Sequence, residues 1–266
     1  MSAVRALLLA AGLGTRLRPL TEACPKCLVP IGGRPLLEHW LCSLYRCGIP
    51  AVWVNLHHRR EMVDAFLSRK PFSGWVHGVV EQELLGTAAT LRENASRLSG
   101  ATTFLAHADN WCQCDLSEFL EFHQYNRPAG TAMTMMTFRT DTPESCGIVQ
   151  IDLEGVVRGF FEKETRPLGN LANGAVYLLE PEVVQWVEQR PGVTDFSTEV
   201  IPKFLGRIAT WENVGIHRDI GMMSSLLAAQ GDPHPVPCWS QDDPWMRAYA
   251  DHPVHAYLTD AGETLL

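Results

Sequence analysis

Residues suited to holding an anion crowd the start of the chain. Residues 6–10 form an apolar run that continues into G-L-G-T-R, Gly12 to Arg16. Lys26 follows ten residues later, between Pro25 and Cys27. Glycine removes the side chain that would keep a phosphate away from backbone N–H groups. Arg16, Arg18 and Lys26 can neutralise charge that the backbone dipoles cannot. Two carboxylates have complementary chemistry: Asp109 in LAHADNW and Asp219 in HRDIG. Asp109 closes a strand expected at 102–107, a position suited to Mg²⁺ that is shared with phosphates. Asp219 lies between a strand expected at 208–213 and a helix expected at 222–229. A turn or helix-cap role is the alternative for each Asp.

The spelling of the first loop narrows its ligand. A dinucleotide-binding loop needs a third glycine, and Leu17 stands in its place. The P-loop string G-x-x-x-x-G-K-[ST] is absent. The plainer alternative is a strand-to-helix turn with solvated arginines.

The elements that must position these residues alternate between strand and helix. Pro35 opens a helix whose apolar face is Leu36, Leu37, Trp40, Leu41 and Leu44, with Gly48 at its stop. Strands are expected at 51–55, 75–80, 102–107 and 131–138. Helices are expected around Met62 to Leu67 and at 88–98 and 116–125. This order predicts an α/β protein with a mostly parallel sheet and helices on both faces, with ligands beyond the carboxyl ends of the strands. Farther on, 147–162 reads as a hairpin turning at Glu154-Gly155. A strand at 175–179 and a helix opening at Pro181 follow. A short helical segment is expected at 195–205 despite Pro202. From Gly231 the texture shifts to prolines and aromatics. This tail is expected to pack on the domain or on a second subunit, which makes a homodimer an expectation.

Composition bounds the function. Of 266 residues, 46% are hydrophobic and 20% charged, which is ordinary for a soluble domain. A net charge of −8 argues against a nucleic-acid surface, which needs a basic stripe. No apolar run reaches the length of a membrane span, and the N-terminal run is too short for a signal peptide. A cytoplasmic location is expected. Among eight cysteines, Cys24/Cys27 form C-x-x-C and Cys112/Cys114 form C-x-C. A zinc or redox site is the alternative to reduced thiols, which are the expectation.

Taken together, G-x-G-T-R with P-K ten residues on resembles the signature of the sugar-phosphate nucleotidyltransferases. The likeness is strongest to the guanylyltransferases acting on mannose 1-phosphate or heptose 1-phosphate. It spans most of the chain before the tail. It implies a Rossmann-like three-layer nucleotide-diphospho-sugar transferase fold, with a mostly parallel central sheet and a smaller β-hairpin-containing sugar-binding part. Residues 1–230 would be catalytic and 231–266 a tail. It also implies a Mg²⁺-dependent reaction of a nucleoside triphosphate with a sugar 1-phosphate, and neither nucleic acid nor membrane as partner.

The resemblance gives Arg16, Lys26, Asp109 and Asp219 catalytic roles, with both aspartates on the metal. Leu9, Ala10, Ala11, Gly12, Gly14, Thr15, Glu83, Gly86 and Thr87 would contact the nucleotide. Gly147, Glu162, Lys163 and Asn173 would contact the sugar phosphate. Outside the resemblance, Glu162-Lys163 reads as a salt-bridged strand end, Asn173 as a turn entering a strand, and Glu81 and Glu83 as loop-solvating carboxylates. The family's usual T-P after D-I-G is replaced by Met222-Met223. Leu84 stands where many uridylyltransferases carry Gln, so the base leans to guanine. The alternatives are an enzyme using UTP, dTTP or CTP, or a non-catalytic nucleotide-sugar-binding regulatory homologue.

Overall fold

A computed structural model describes residues 3–165 and 168–264. In chain order the strands are β1 (Val4–Leu9), β2 (Pro30–Ile31), β3 (Arg34–Pro35), β4 (Val52–Leu56), β5 (Val76–Val80), β6 (Thr102–His107) and β7 (Asn110–Gln113). They continue with β8 (Met133–Arg139), β9 (Gly147–Ile151), β10 (Val157–Glu162), β11 (Leu171–Leu179), β12 (Ile208–Glu212) and β13 (Ile216–Asp219). The chain divides into two compact units. The first holds the chain up to Leu7, Leu85–Ala106 and Gln113–His217; the second holds Leu8–Leu84, His107–Cys112 and the chain from Arg218 on.

In the first unit the strands run in the order β10-β9-β11-β6-β1, with β8 pairing both β11 and β12. Strand β11 is antiparallel to β6, β8 and β9; β10 is antiparallel to β9; β12 is parallel to β8. Strands β6, β8, β9 and β12 therefore share one direction, and β10 and β11 run against them. Apolar side chains such as Phe104, Met133, Met135, Val176 and Leu178 are fully or almost fully buried. They bind the sheet to its helices by removing apolar surface from water. The hairpin β9–β10 turns through Gly155 at φ +77°, a conformation that glycine adopts without strain.

Three helical expectations in this unit change in detail. The one at 88–98 breaks into Thr87–Glu93 and Ala95–Leu98, because Asn94 turns its Nδ2 back to Thr90 O (2.9 Å). The one at 116–125 is α-helical through Glu121 and then widens into a looser turn. The segment at 195–205 is two short turns, Phe196–Val200 and Ile201–Lys203, around Pro202, which has no N–H to donate.

In the second unit β4 lies between β1 and β5, parallel to β5. The helix Leu36–Arg46 buries the apolar stripe read from its spacing, and Gly48 follows its end at φ +68°. Strands β7 and β13 form a separate two-stranded sheet. Beyond Gly231 the chain folds back onto this unit. The tail helices are Pro244–Ala250 and Val254–Thr264. The Tyr249 hydroxyl donates to Leu28 O. Arg69 joins Glu38 (2.5 Å) to Asp243 (2.7 Å).

Cys42 and Cys238 form a disulfide that fastens the tail to the helix Leu36–Arg46. This corrects the expectation of reduced thiols at these two positions: residues 196 apart in sequence are neighbours only once the tail folds back. The other six cysteines are thiols. Among the described residues, no helix is long and apolar enough to cross a membrane.

Candidate active site

The second unit brings together the glycine loop, Arg16, Lys26, Asp109 and Asp219 at the ends of neighbouring strands. Ala108 N–H donates to Leu9 O (3.0 Å), which sets the ends of β1 and β6 side by side. A Cβ on Gly12 would stand 3.8 Å from Asp109 Oδ2, so the glycine loop runs directly past this carboxylate. The turn out of β1 is held by Asn55, at the end of β4. Its Oδ1 accepts the N–H groups of Ala10 (2.6 Å) and Ala11 (3.2 Å), and its Nδ2 donates to Glu81 (3.0 Å). Glu81 is therefore a buried structural partner and does not solvate a loop. Glu83 is exposed. Gly14 is left-handed at φ +61°, and a Cβ there would run into Thr21 (2.7 Å). Thr15 and Arg16 follow, exposed, in the short turn Thr15–Leu17.

Lys26 sits at the centre of the cluster with its side chain only 5% exposed. Its Nζ donates to Asp109 Oδ2 (3.0 Å) and to Asp219 Oδ1 (2.9 Å). Arg16 donates to the other oxygen of Asp219 (2.9 Å), and Gly221 N–H donates to Asp219 Oδ1 (2.8 Å). A Cβ on Gly221 would press on the Arg16 guanidinium and on Asp219 Oδ1 (2.9 Å), so both side chains pass close over this glycine. Burial alone would raise the Asp219 carboxyl, but Lys26 and Arg16 outweigh it and hold it at about 2. Burial alone would lower the Lys26 ammonium, but Asp109 and Asp219 overrule it and raise it above the usual lysine range. Two cations and two carboxylates thus form a cluster with no net charge. Asp219 ends a strand and caps no helix; Met222 holds the cap position of the helix Met223–Gln230.

Asp109 and Asp219 each place an oxygen within 3.0 Å of one nitrogen, so their carboxylates converge on a common point. Hard oxygen donors in that number fit Mg²⁺, which usually takes one or two carboxylates and completes its shell with water and substrate phosphate. Among the described residues, no cluster of three or more His, Cys, Asp or Glu offers a self-sufficient cage.

The first unit holds the residues that the resemblance assigns to the sugar phosphate. Gly147 pairs with Glu162 across the hairpin, and a Cβ on Gly147 would press on Phe160 (2.7 Å) and Glu162 Oε2 (2.8 Å). Lys163 follows at φ +50°, its Nζ 3.4 Å from Glu162 and its side chain 66% exposed. Its N–H donates to Cys146 O (3.2 Å), closing the hairpin's open end. Asn173 donates to the buried Tyr177 hydroxyl (2.7 Å) and accepts from Ala175 N–H (3.0 Å) across an irregularity in β11. Gly86 sits at φ +92°, where a Cβ would lie 2.6 Å from Thr194 O. Thr87 Oγ1 accepts from Phe196 N–H (2.7 Å) and so fixes the start of the helix Thr87–Glu93.

Asn55, Trp111, Arg218 and Asp232 escaped the sequence reading. Asn55 was visible only as the end of a buried strand; Trp111 and Arg218 stand in the phrases LAHADNW and HRDIG without a role of their own, and Asp232 has no motif spacing.

A family model described as nucleotidyl transferase matches residues 5–234. A mannose-1-phosphate guanyltransferase 2 of Candida glabrata is 31% identical over 236 residues, covering 86% of this chain and 64% of that protein. The mannose-1-phosphate guanyltransferase of Saccharomyces cerevisiae is 28% identical over 233 residues, covering 85% and 63%. The chain thus spans a little under two thirds of the length of these relatives. Among solved structures, HddC from Yersinia pseudotuberculosis superposes with a TM-score of 0.72 at 23% identity, over 87% of this chain and 99% of that one. It has also been solved with GMP-PN, where the TM-score is 0.71. The match to the family model over residues 5–234, most of the chain, places this protein in the nucleotidyl transferase family.

Proposed function

We propose that the protein transfers a nucleotidyl group from a nucleoside triphosphate to a sugar 1-phosphate, releasing pyrophosphate and forming a nucleoside diphosphate sugar. The observation that carries this reading is Lys26 held between Asp109 and Asp219 with Arg16 alongside. A sugar phosphate oxygen forms the new bond to the α-phosphorus while the bond to the bridging oxygen of pyrophosphate breaks. The nucleophile is already an anion, so positioning and charge neutralisation do most of the work.

In this reading Arg16 holds the β- and γ-phosphates and stabilises the departing pyrophosphate. Lys26 moves from carboxylates to phosphates when substrate arrives, meeting both the α-phosphate and the incoming sugar phosphate. Leu9, Ala10, Ala11, Gly12, Gly14 and Thr15 supply close backbone approach. Asp109 and Asp219 hold Mg²⁺, which supplies charge neutralisation and orientation at the phosphates when bound. Glu83, Gly86 and Thr87 recognise the base. Gly147, Glu162, Lys163 and Asn173 take the sugar phosphate, Lys163 pairing with its phosphate and Asn173 with its hydroxyls. Residues 1–230 form the catalytic region, working in the cytoplasm, where nucleoside triphosphates are found.

GTP with mannose 1-phosphate or a heptose 1-phosphate is the favoured pair. Support comes from the spelling of residues 83–88, with a Glu83 carboxylate suited to accept from guanine N1–H and N2–H₂. It also comes from the guanyltransferase names of the relatives and the GMP-PN complex of HddC. The test is a matrix of four nucleoside triphosphates against a panel of sugar 1-phosphates, read as pyrophosphate release. The expected maximum is GTP with one of these sugars. Preference for UTP or dTTP would overturn the base, and silence across the matrix would overturn the reaction.

A further inference from the structure

We propose that Asp232 is a positioning residue that locks the two metal-binding carboxylates at one spacing; this rests on the assignment of Mg²⁺ to Asp109 and Asp219. Asp232 lies just past the helix Met223–Gln230, with its side chain 10% exposed. Its Oδ2 accepts from the Trp111 indole N–H (2.9 Å) and from Arg218 Nε (2.8 Å); its Oδ1 accepts from Arg218 Nη2 (2.9 Å). Trp111 is fully buried and stands two residues after Asp109. Arg218 immediately precedes Asp219 on β13.

One carboxylate therefore grips both strands of the pair β7–β13, each next to a metal-binding aspartate. Adjacent residues of a strand face opposite sides. Arg218 can thus be anchored behind the strand while Asp219 faces Lys26. A two-stranded sheet is marginal by itself. The fork of Arg218 on Asp232 is a planar two-point contact that resists sliding and twisting. The indole N–H extends the same constraint to β7. With both strands tied to one group, Asp109 and Asp219 are set before a cation arrives.

The test uses the full chain and two variants. Asp232→Asn keeps an acceptor for Trp111 but loses the charge and one acceptor for Arg218. Trp111→Phe keeps an aromatic ring but removes the indole N–H together with part of the ring's bulk. Mn²⁺ binding is measured by electron paramagnetic resonance with a non-hydrolysable GTP analogue present, beside circular dichroism and melting temperature. Asp232→Asn should weaken Mn²⁺ binding about tenfold, as for partners that orient metal ligands, and Trp111→Phe should weaken it less. The Mg²⁺ concentration for half-maximal pyrophosphate release should rise in parallel, with KM for the sugar 1-phosphate unchanged. Mn²⁺ affinities within twofold of wild type in folded variants would overturn the role of Asp232. If Asp232→Asn does not fold, unchanged affinity in Trp111→Phe decides against it. A wild-type protein that binds no Mn²⁺ with the analogue would instead overturn the metal assignment, and this proposal with it.

Discussion

Lys26 donates one buried ammonium to two carboxylates, so its removal leaves Asp109 and Asp219 facing each other with Arg16 alone to oppose them. Lys26→Ala should cost about 2 kcal/mol of stability, less than for a fully buried pair because Asp219 is half-exposed. It should lower pyrophosphate release at least about 100-fold. A divalent cation can replace the lost ammonium between the carboxylates. Millimolar Mg²⁺ should therefore raise the melting temperature of Lys26→Ala more than that of wild type, and differential scanning fluorimetry reads this directly. Equal Mg²⁺ shifts in both proteins would contradict the convergence of the two aspartates on a cation.

The four residues of this cluster were legible in the sequence because each sits in a short phrase with a local chemical logic: G-L-G-T-R, P-K, the strand-end Asp109 and D-I-G. Asn55 and Asp232 were not, because their roles arise from hydrogen bonds to partners 45 and 121 residues away, at Ala10 and Trp111. No spacing rule reaches that far.

The elements show where periodicity suffices and where it does not. The helix Leu36–Arg46 and the hairpin β9–β10 follow from an apolar stripe and a glycine turn, both local signals. The short strands β7 and β13, which carry the residues beside the two aspartates, went unread. Four residues give too little alternation to mark a strand, and their pairing joins segments about a hundred residues apart. The tail was legible only as a change of texture. The tail owes its place to tertiary contacts, among them edge-to-face packing of Trp239 with Phe72 (ring centroids 5.1 Å apart) and of Trp245, in the helix Pro244–Ala250, with Phe66 (5.0 Å).

The disulfide Cys42–Cys238 fixes the tail covalently. Cys42→Ser, or reduction with dithiothreitol, should destabilise the protein by about 2–5 kcal/mol and expose the tail to limited proteolysis. Neither cysteine is placed in the catalytic machinery, so pyrophosphate release at 25 °C should persist. A melting temperature indifferent to dithiothreitol would contradict a bridge between these elements.

At the scale of the molecule, two buried histidines make stability depend on pH. Burial, with Arg34 beside it, lowers His39 to about 3; burial, with Arg127 beside it, lowers His123 to about 3 against the opposing pull of Glu180, 3.2 Å from its Nε2. Both are neutral in the folded chain at pH 5, whereas unfolded histidine takes up a proton near 6.5. Below about pH 6.5 the unfolded state binds more protons, so stability falls as pH falls through the window down to about 3. Each residue contributes a slope of about 1.4 kcal/mol per pH unit there. The expected result is a lower melting temperature at pH 5 than at pH 7, with the ring signals of His39 and His123 in NMR failing to titrate above pH 5. Midpoints near 6.5 for both would contradict their burial, His39 against Ile31 O (3.1 Å) and His123 against the Thr134 hydroxyl (2.7 Å).

The α/β class and the mostly parallel strand directions were readable from alternating elements. The division into two units was not, because each unit gathers chain from separate stretches of the sequence.

The reaction itself is tested most directly by following phosphorus. The protein is mixed with GTP, mannose 1-phosphate and Mg²⁺ and observed by ³¹P NMR, with heptose 1-phosphate in a second tube. The α-phosphorus of GTP should appear in a nucleoside diphosphate sugar while the β- and γ-phosphorus leave together as pyrophosphate. GDP with inorganic phosphate as the products, or unchanged GTP in both tubes, would contradict the account.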